Sequence, residues 1–86
     1  MELRLYHSPY CPRCCGAGET LEKAATKTGF RGSIRILNVI EHIDEAVAAG
    51  VRATPAVTLD GRVILAGGMD PERLERALVR AQSGGN

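Results

Sequence analysis

Leu3-Arg4-Leu5-Tyr6-His7-Ser8-Pro9-Tyr10-Cys11-Pro12-Arg13-Cys14 is the stretch whose reading decides the fold of this chain. Glu2 to Tyr6 alternates polar and apolar residues with the period of a half-buried strand, and the turn-rich His7-Ser8-Pro9-Tyr10 delivers the chain to two cysteines. Behind them Cys14, Ala17, Leu21, Ala24 or Ala25 and Thr28 recur at three- and four-residue steps. That spacing predicts an amphipathic helix running from the cysteines to Gly29, with Pro12 in its first turn, where a missing N–H costs little. A helix start carries unpaired N–H groups and a partial positive charge, and so favours the thiolate of a cysteine placed there. Cys11 is the expected nucleophile. Cys14, one turn later on the same side, is the expected resolving thiol. Gly16 and Gly18 weaken the second turn by up to roughly 1 kcal/mol each relative to alanine, which suits positions of close backbone approach.

Further along, Ser33 to Val39 alternates again and completes a βαβ unit with parallel strands. Ile40, Ile43 and Val47 mark a short helix stopping at Gly50, and Val51 to Thr54 form a loop leading to Pro55. Ala56 to Leu59 and Arg62 to Leu65 are strand-like runs joined by Asp60-Gly61, the pair that fits a type I′ turn, and they predict a tight antiparallel hairpin. Asp70 caps, and Pro71 opens, a last helix whose buried stripe is Leu74, Ala77, Leu78 and Ala81. The order predicts an α/β fold, βαβ-α-ββα, with a four-stranded mixed sheet and three flanking helices. One domain spans residues 1–82, and 83–86 form a flexible tail.

With 86 residues, 44% of them apolar and 24% charged, the chain is long enough for one core and has the composition of a globular domain. Its net charge of +1 gives no reason to expect nucleic acid or an anionic membrane as a partner. The first residues lack the apolar region of a signal peptide, and no apolar run is long enough to span a bilayer, so a soluble monomer in the cytoplasm is expected. The three cysteines fall between positions 11 and 15, too close together to staple distant parts of a fold. They read as site cysteines.

Three stretches together resemble the thioredoxin-fold superfamily in its small, glutaredoxin-like form: Cys11-Pro12-Arg13-Cys14 after the first strand, Thr54-Pro55 before the hairpin, and Gly67-Gly68-Met69-Asp70 before the last helix. The resemblance covers almost the whole chain. It implies a thiol-disulfide oxidoreductase needing no metal or organic cofactor, and a cis peptide bond at Pro55 that turns the backbone of Thr54 toward an extended substrate. It also implies that Gly67, Gly68 and Asp70 hold glutathione as co-substrate, the backbone N–H groups taking a carboxylate and Asp70 the γ-glutamyl amine. Glutaredoxins usually carry a lysine shortly before the first cysteine, where this chain has His7. The buried acid of thioredoxins is missing as well, since Leu3 and Leu5 occupy the facing strand. The electron donor is therefore left open between a reductase and glutathione, and the substrate between a protein disulfide and a small thiol compound.

Around the dithiol, Arg13 places a cation between the two sulfurs, where it favours the Cys11 thiolate or stays a solvated charge. Tyr10 offers an apolar platform for substrate or packs against the loop, and Pro12 shares that rim. Cys15 reads as a thiol packed in the core. The rival to redox chemistry is a metal-binding or metal-delivery module in which Cys11, Cys14 and Cys15 or His7 hold a soft ion. It lacks the second cysteine pair of a closed tetrahedral site.

Overall fold

Strand β1 (Glu2–His7) is paired on both sides, parallel to β2 (Ser33–Asn38) and antiparallel to β3 (Ala56–Leu59), which in turn pairs antiparallel with β4 (Arg62–Ala66). The sheet order is therefore β2-β1-β3-β4. Helix α1 (Ala17–Lys27) makes the crossover between the parallel strands, α2 (Ile43–Ala49) joins β2 to β3, and α3 (Pro71–Ser83) closes the chain. The computed structural model describes residues 1–83. Ser83 thus continues the last helix instead of opening a tail, and the rest of the expected tail lies outside the described residues.

Alternation along β1 sends Leu3 and Leu5 to one face of the sheet and Arg4 and Tyr6 to the other. On the first face Leu3, Leu5 and Val57 meet Leu21 of α1 and Leu74 and Leu78 of α3, all essentially without solvent exposure. Each such side chain contributes about 1.5–3 kcal/mol through burial, so this layer dominates the stability. The second face holds Tyr6, Leu37 and Ala56 beneath Ala46 of α2. Here Arg4 donates from Nη1 to Glu45 of α2 at 3.1 Å and from Nε to Glu2 at 2.7 Å. This links the short helix to the central strand.

The apolar stripe expected on α2 faces outward. Ile40, Ile43 and Val47 are 55, 53 and 68% exposed, while Ala46 is buried. A seven-residue helix lying close over Tyr6 needs a small contact residue, and Ala46 supplies it. Strand β2 ends at Asn38, one residue earlier than expected, where the Asn38 carbonyl accepts the N–H groups of Glu41 at 3.1 Å and His42 at 3.0 Å and turns the chain toward α2. The hairpin turn has φ of 49° at Asp60 and 85° at Gly61, the two positive values that a type I′ turn requires. Among the described residues no helix is long and apolar enough to cross a membrane.

Candidate functional site

The chain does not enter α1 directly from the cysteines, as their spacing predicts. Residues Pro12–Cys14 form a separate 3-10 turn with Cys11 as its N-cap, Cys15 is extended, and Gly16 at φ 74° reverses the backbone before α1 begins at Ala17. The cause is local. Pro12 has no N–H to give, Cys14 N–H closes on the Cys11 carbonyl at 3.1 Å, and Cys15 N–H reaches the Pro12 carbonyl at 3.4 Å. Three residues per turn put positions i and i+3 directly above one another. Cys11 and Cys14 therefore share a side, whereas Cys15 is swung away and exposed. The expectation that Cys15 packs in the core is overturned by that one-residue rotation.

The two partly buried thiols differ in acidity. The Cys14 side chain hydrogen-bonds to Cys11 and is the main influence lowering its pKa; partial burial opposes this, and the Thr54 side chain and the N–H groups of Arg13 and Cys14 add to the lowering. Burial, and then the same bond to Cys11, push Cys14 up. In its protonated form Cys11 Sγ points to the Thr54 carbonyl oxygen at 3.5 Å.

Arg13 is not placed between the sulfurs. Its Nη1 donates to the carbonyl of Gly67 at 3.0 Å, and among the influences on Cys11 it is the N–H of Arg13, not its cation, that counts. Gly67, at φ 85°, in turn donates its N–H to the carbonyl of Pro55 at 2.9 Å. The Thr54-Pro55 peptide is cis. A closed ring results: Cys11 to Thr54, Pro55 to Gly67, Gly67 to Arg13, and back along the turn to Cys11. Six of the residues singled out in the sequence, Cys11, Arg13, Cys14, Thr54, Pro55 and Gly67, are thus joined by bonds. Tyr10 stands beside them with 85% of its surface in solvent, and Pro12 and Asp70 are exposed. The Asp70 carbonyl accepts the N–H of Leu74 at 3.0 Å, as the residue opening α3 should. No hydrogen bond ties the side chain of Tyr10 or Asp70, or Gly68, to the ring among the described residues.

Sequence reasoning passed over Ser8, whose carbonyl accepts the Cys11 N–H at 3.1 Å and whose side chain accepts from Tyr10 N–H at 3.2 Å. The turn-forming pair Ser8-Pro9 is the signal that marks it. Nor do the thiols gather further ligands: among the described residues no three His, Cys, Asp or Glu side chains form a set able to hold a metal ion.

A family profile described as a thioredoxin domain matches residues 1–79 of this chain. The chain belongs to the thioredoxin-domain family. Among its relatives, a probable thioredoxin of Archaeoglobus fulgidus is 31% identical over 83 residues, covering 96% of this chain and 90% of that one. The thioredoxin of Methanocaldococcus jannaschii is 28% identical over 78 residues, covering 91% and 92%. Among solved structures, thioredoxin 1 of Thermosipho africanus superposes with a TM-score of 0.73 over 100% of this chain and 99% of its own, at 17% identity, a likeness of fold. The family's fold, a four-stranded mixed sheet with three helices, is the one described above, and thioredoxin-family membership supports thiol-disulfide oxidoreduction as the general chemistry.

Proposed function

We propose that this protein reduces disulfides of other proteins through Cys11 and Cys14, and that a reductase, not glutathione, returns its electrons. The alignment of the two sulfurs with opposite shifts in acidity carries the reading. The Cys11 thiolate attacks one sulfur of the substrate disulfide, forming a mixed disulfide and releasing the other sulfur as a thiolate. Cys14 then loses its proton and attacks the Cys11 sulfur, closing a Cys11-Cys14 disulfide and expelling the reduced substrate. Two electrons pass to the substrate, and the donor must return two. Pro55 and the Thr54 backbone form the wall along which an extended substrate segment lies, with Tyr10 and Pro12 at its rim.

The glutathione role of Gly67, Gly68 and Asp70 finds less support. The Gly67 N–H that would take a carboxylate is committed to Pro55, and its carbonyl already accepts from Arg13. A dithiol that must be kept reduced suits a reducing cytoplasm. The metal-delivery alternative would need ligands that the turn directs apart, since Cys15 points away from the pair.

The test is to supply the oxidised protein with NADPH and a thioredoxin reductase, or with glutathione and glutathione reductase, in the presence of a disulfide protein substrate. Turnover with the first donor and little with the second is expected, and Cys14→Ser should trap a mixed disulfide at Cys11. Efficient turnover with glutathione alone, or a Cys14→Ser variant that cycles normally, would overturn the proposal.

A further inference from the structure

We infer that the free edge of β4, overhung by arginines of α3, binds an extended acidic segment of a partner polypeptide as a fifth strand. As the terminal strand of the sheet, β4 presents alternate N–H and C=O groups with no strand to receive them. Between it and α3 runs a groove of about 200 Å³ lined by Ile64, Leu65, Arg73, Arg76, Ala77 and Arg80. The three arginines recur at steps of three and four residues, so they share one helix face over about 10 Å of its length. Arg73 and Arg80 have no side-chain partner among the described residues, and Arg76 has only an exposed contact of 3.9 Å with Glu72, of the kind that contributes little.

Strand geometry says which partner fits. A strand added beside β4 sends every second side chain toward α3, at a spacing of about 6.8 Å. Carboxylates at those alternate positions meet the arginine row, while the backbone completes the open ladder. Two features reject other occupants. A second copy pairing antiparallel through β4 would keep both α3 helices on the same side of the sheet, setting arginine row against arginine row. The bulge between Val57 and Thr58, which leaves Ile64 without a partner in the register, shortens the regular edge and discourages indiscriminate pairing. Charge complementarity therefore selects an acidic strand.

The experiment titrates the isotopically labelled full chain with a synthetic eight-residue peptide carrying glutamate at alternate positions among valine and threonine. Two control peptides replace glutamate by lysine, or keep glutamate and methylate alternate backbone nitrogens. The acidic peptide should shift the amide resonances of Arg62 to Ala66, and both controls should fail to do so. The double variant Arg73→Glu/Arg80→Glu, at exposed sites outside the core, should weaken the acidic peptide by about tenfold and gain binding of the lysine peptide. The inference is overturned by shifts confined to β2 or to the thiol turn, by equal effects of the lysine or methylated peptide, or by β4 shifts that depend on protein concentration alone. The three peptides are compared on the native chain, so they decide between these outcomes even where the double variant fails to fold.

Discussion

Arg13 donates from Nη1 to the Gly67 carbonyl at 3.0 Å, fastening the cysteine turn to the loop that follows β4. The charge is thereby committed to a backbone oxygen, and the acidity of Cys11 is set by its neighbours along the turn and by Thr54. Arg13→Met keeps the aliphatic stem and removes the donor. The ultraviolet titration of the Cys11 thiolate should stay where it is, while amide exchange at Gly67 should quicken by roughly fivefold, the equivalent of about 1 kcal/mol for one lost hydrogen bond. A clear upward move of the Cys11 titration would show that the cation acts on the sulfur after all.

The leading influence on Cys11 is the hydrogen bond from the Cys14 side chain, which makes a discriminating pair of variants possible. Cys14→Ser retains an O–H donor and should keep Cys11 reactive toward iodoacetamide below the ordinary thiol range. Cys14→Ala removes the donor, and the pH at which Cys11 becomes reactive should rise. Both are best measured with Cys15→Ser, since Cys15 is exposed and would take up reagent itself. Identical pH profiles for the serine and alanine variants would refute the bond's role.

Opposite shifts at one site have opposite consequences for the stability of the reduced protein. Below the ordinary value of 9.0, Cys11 is deprotonated in the folded state before it is in the unfolded state, so the unfolded chain binds more protons and stability rises with pH. Above that value Cys14 holds its proton longer when folded, the folded chain binds more protons, and stability falls. Urea unfolding under a non-thiol reductant, compared with Cys11→Ser/Cys14→Ser, should give a difference that climbs to about pH 9 and then declines. A flat difference across that range would mean that the two thiols share one ordinary acidity.

Element order was legible because each signal was local: alternation in β1, three- and four-residue steps in α1 and α3, and Asp60-Gly61 between β3 and β4. What the pattern could not carry was orientation. Ile40, Ile43 and Val47 have helical spacing, yet the sheet face beneath α2 is filled by Tyr6 and crossed by Arg4, leaving room only for Ala46. Periodicity identifies a stripe, and the space available decides which side of the helix goes inward. At the site the cysteines, Thr54 and Pro55 were legible, but the 3-10 turn was not, since its side-chain spacing resembles an α-helix until the fourth residue. That fourth residue is Cys15, which the turn leaves exposed. The Arg13 bond to Gly67 spans 54 positions and left no mark on either local pattern.

Three glycines separate conformational need from packing need. Gly16 sits at φ 74° with nothing near its missing side chain, so Gly16→Ala should cost about 1–2 kcal/mol from backbone strain alone. Gly18 has ordinary helical geometry, and an added Cβ would meet the Ile36 side chain, Cδ1 at 2.9 Å and Cγ1 at 4.0 Å. That side chain is 46% exposed and can turn aside, so its cost offsets the helix preference for alanine and Gly18→Ala should be nearly neutral. At Gly32 the Cβ would collide with the Met1 carbonyl and lie 2.8 Å from the Phe30 ring, and Gly32→Ala should be the most damaging, by about 2 kcal/mol or more. Urea midpoints that rank Gly18→Ala below Gly16→Ala would contradict this order.

Thr58 is wholly buried on β3, opposite Arg4 in the sheet register, and its hydroxyl has no hydrogen-bond partner among the described residues. The guanidinium that faces it directs its donors to Glu2, Tyr6 and Glu45 instead. A buried hydroxyl left without a partner loses its water and gains nothing in return, at a cost of about 1–3 kcal/mol. Valine has nearly the same shape, is favoured in strands, and carries no polar atom to satisfy. Thr58→Val should therefore raise the unfolding free energy by about 1 kcal/mol, with the midpoint moved and the denaturant slope unchanged. Thr58→Ser keeps the hydroxyl, removes the methyl and should destabilise. The pair distinguishes the cost of the orphaned oxygen from the value of the packed methyl, and a Thr58→Val variant less stable than the native chain would mean that the hydroxyl is bound in solution.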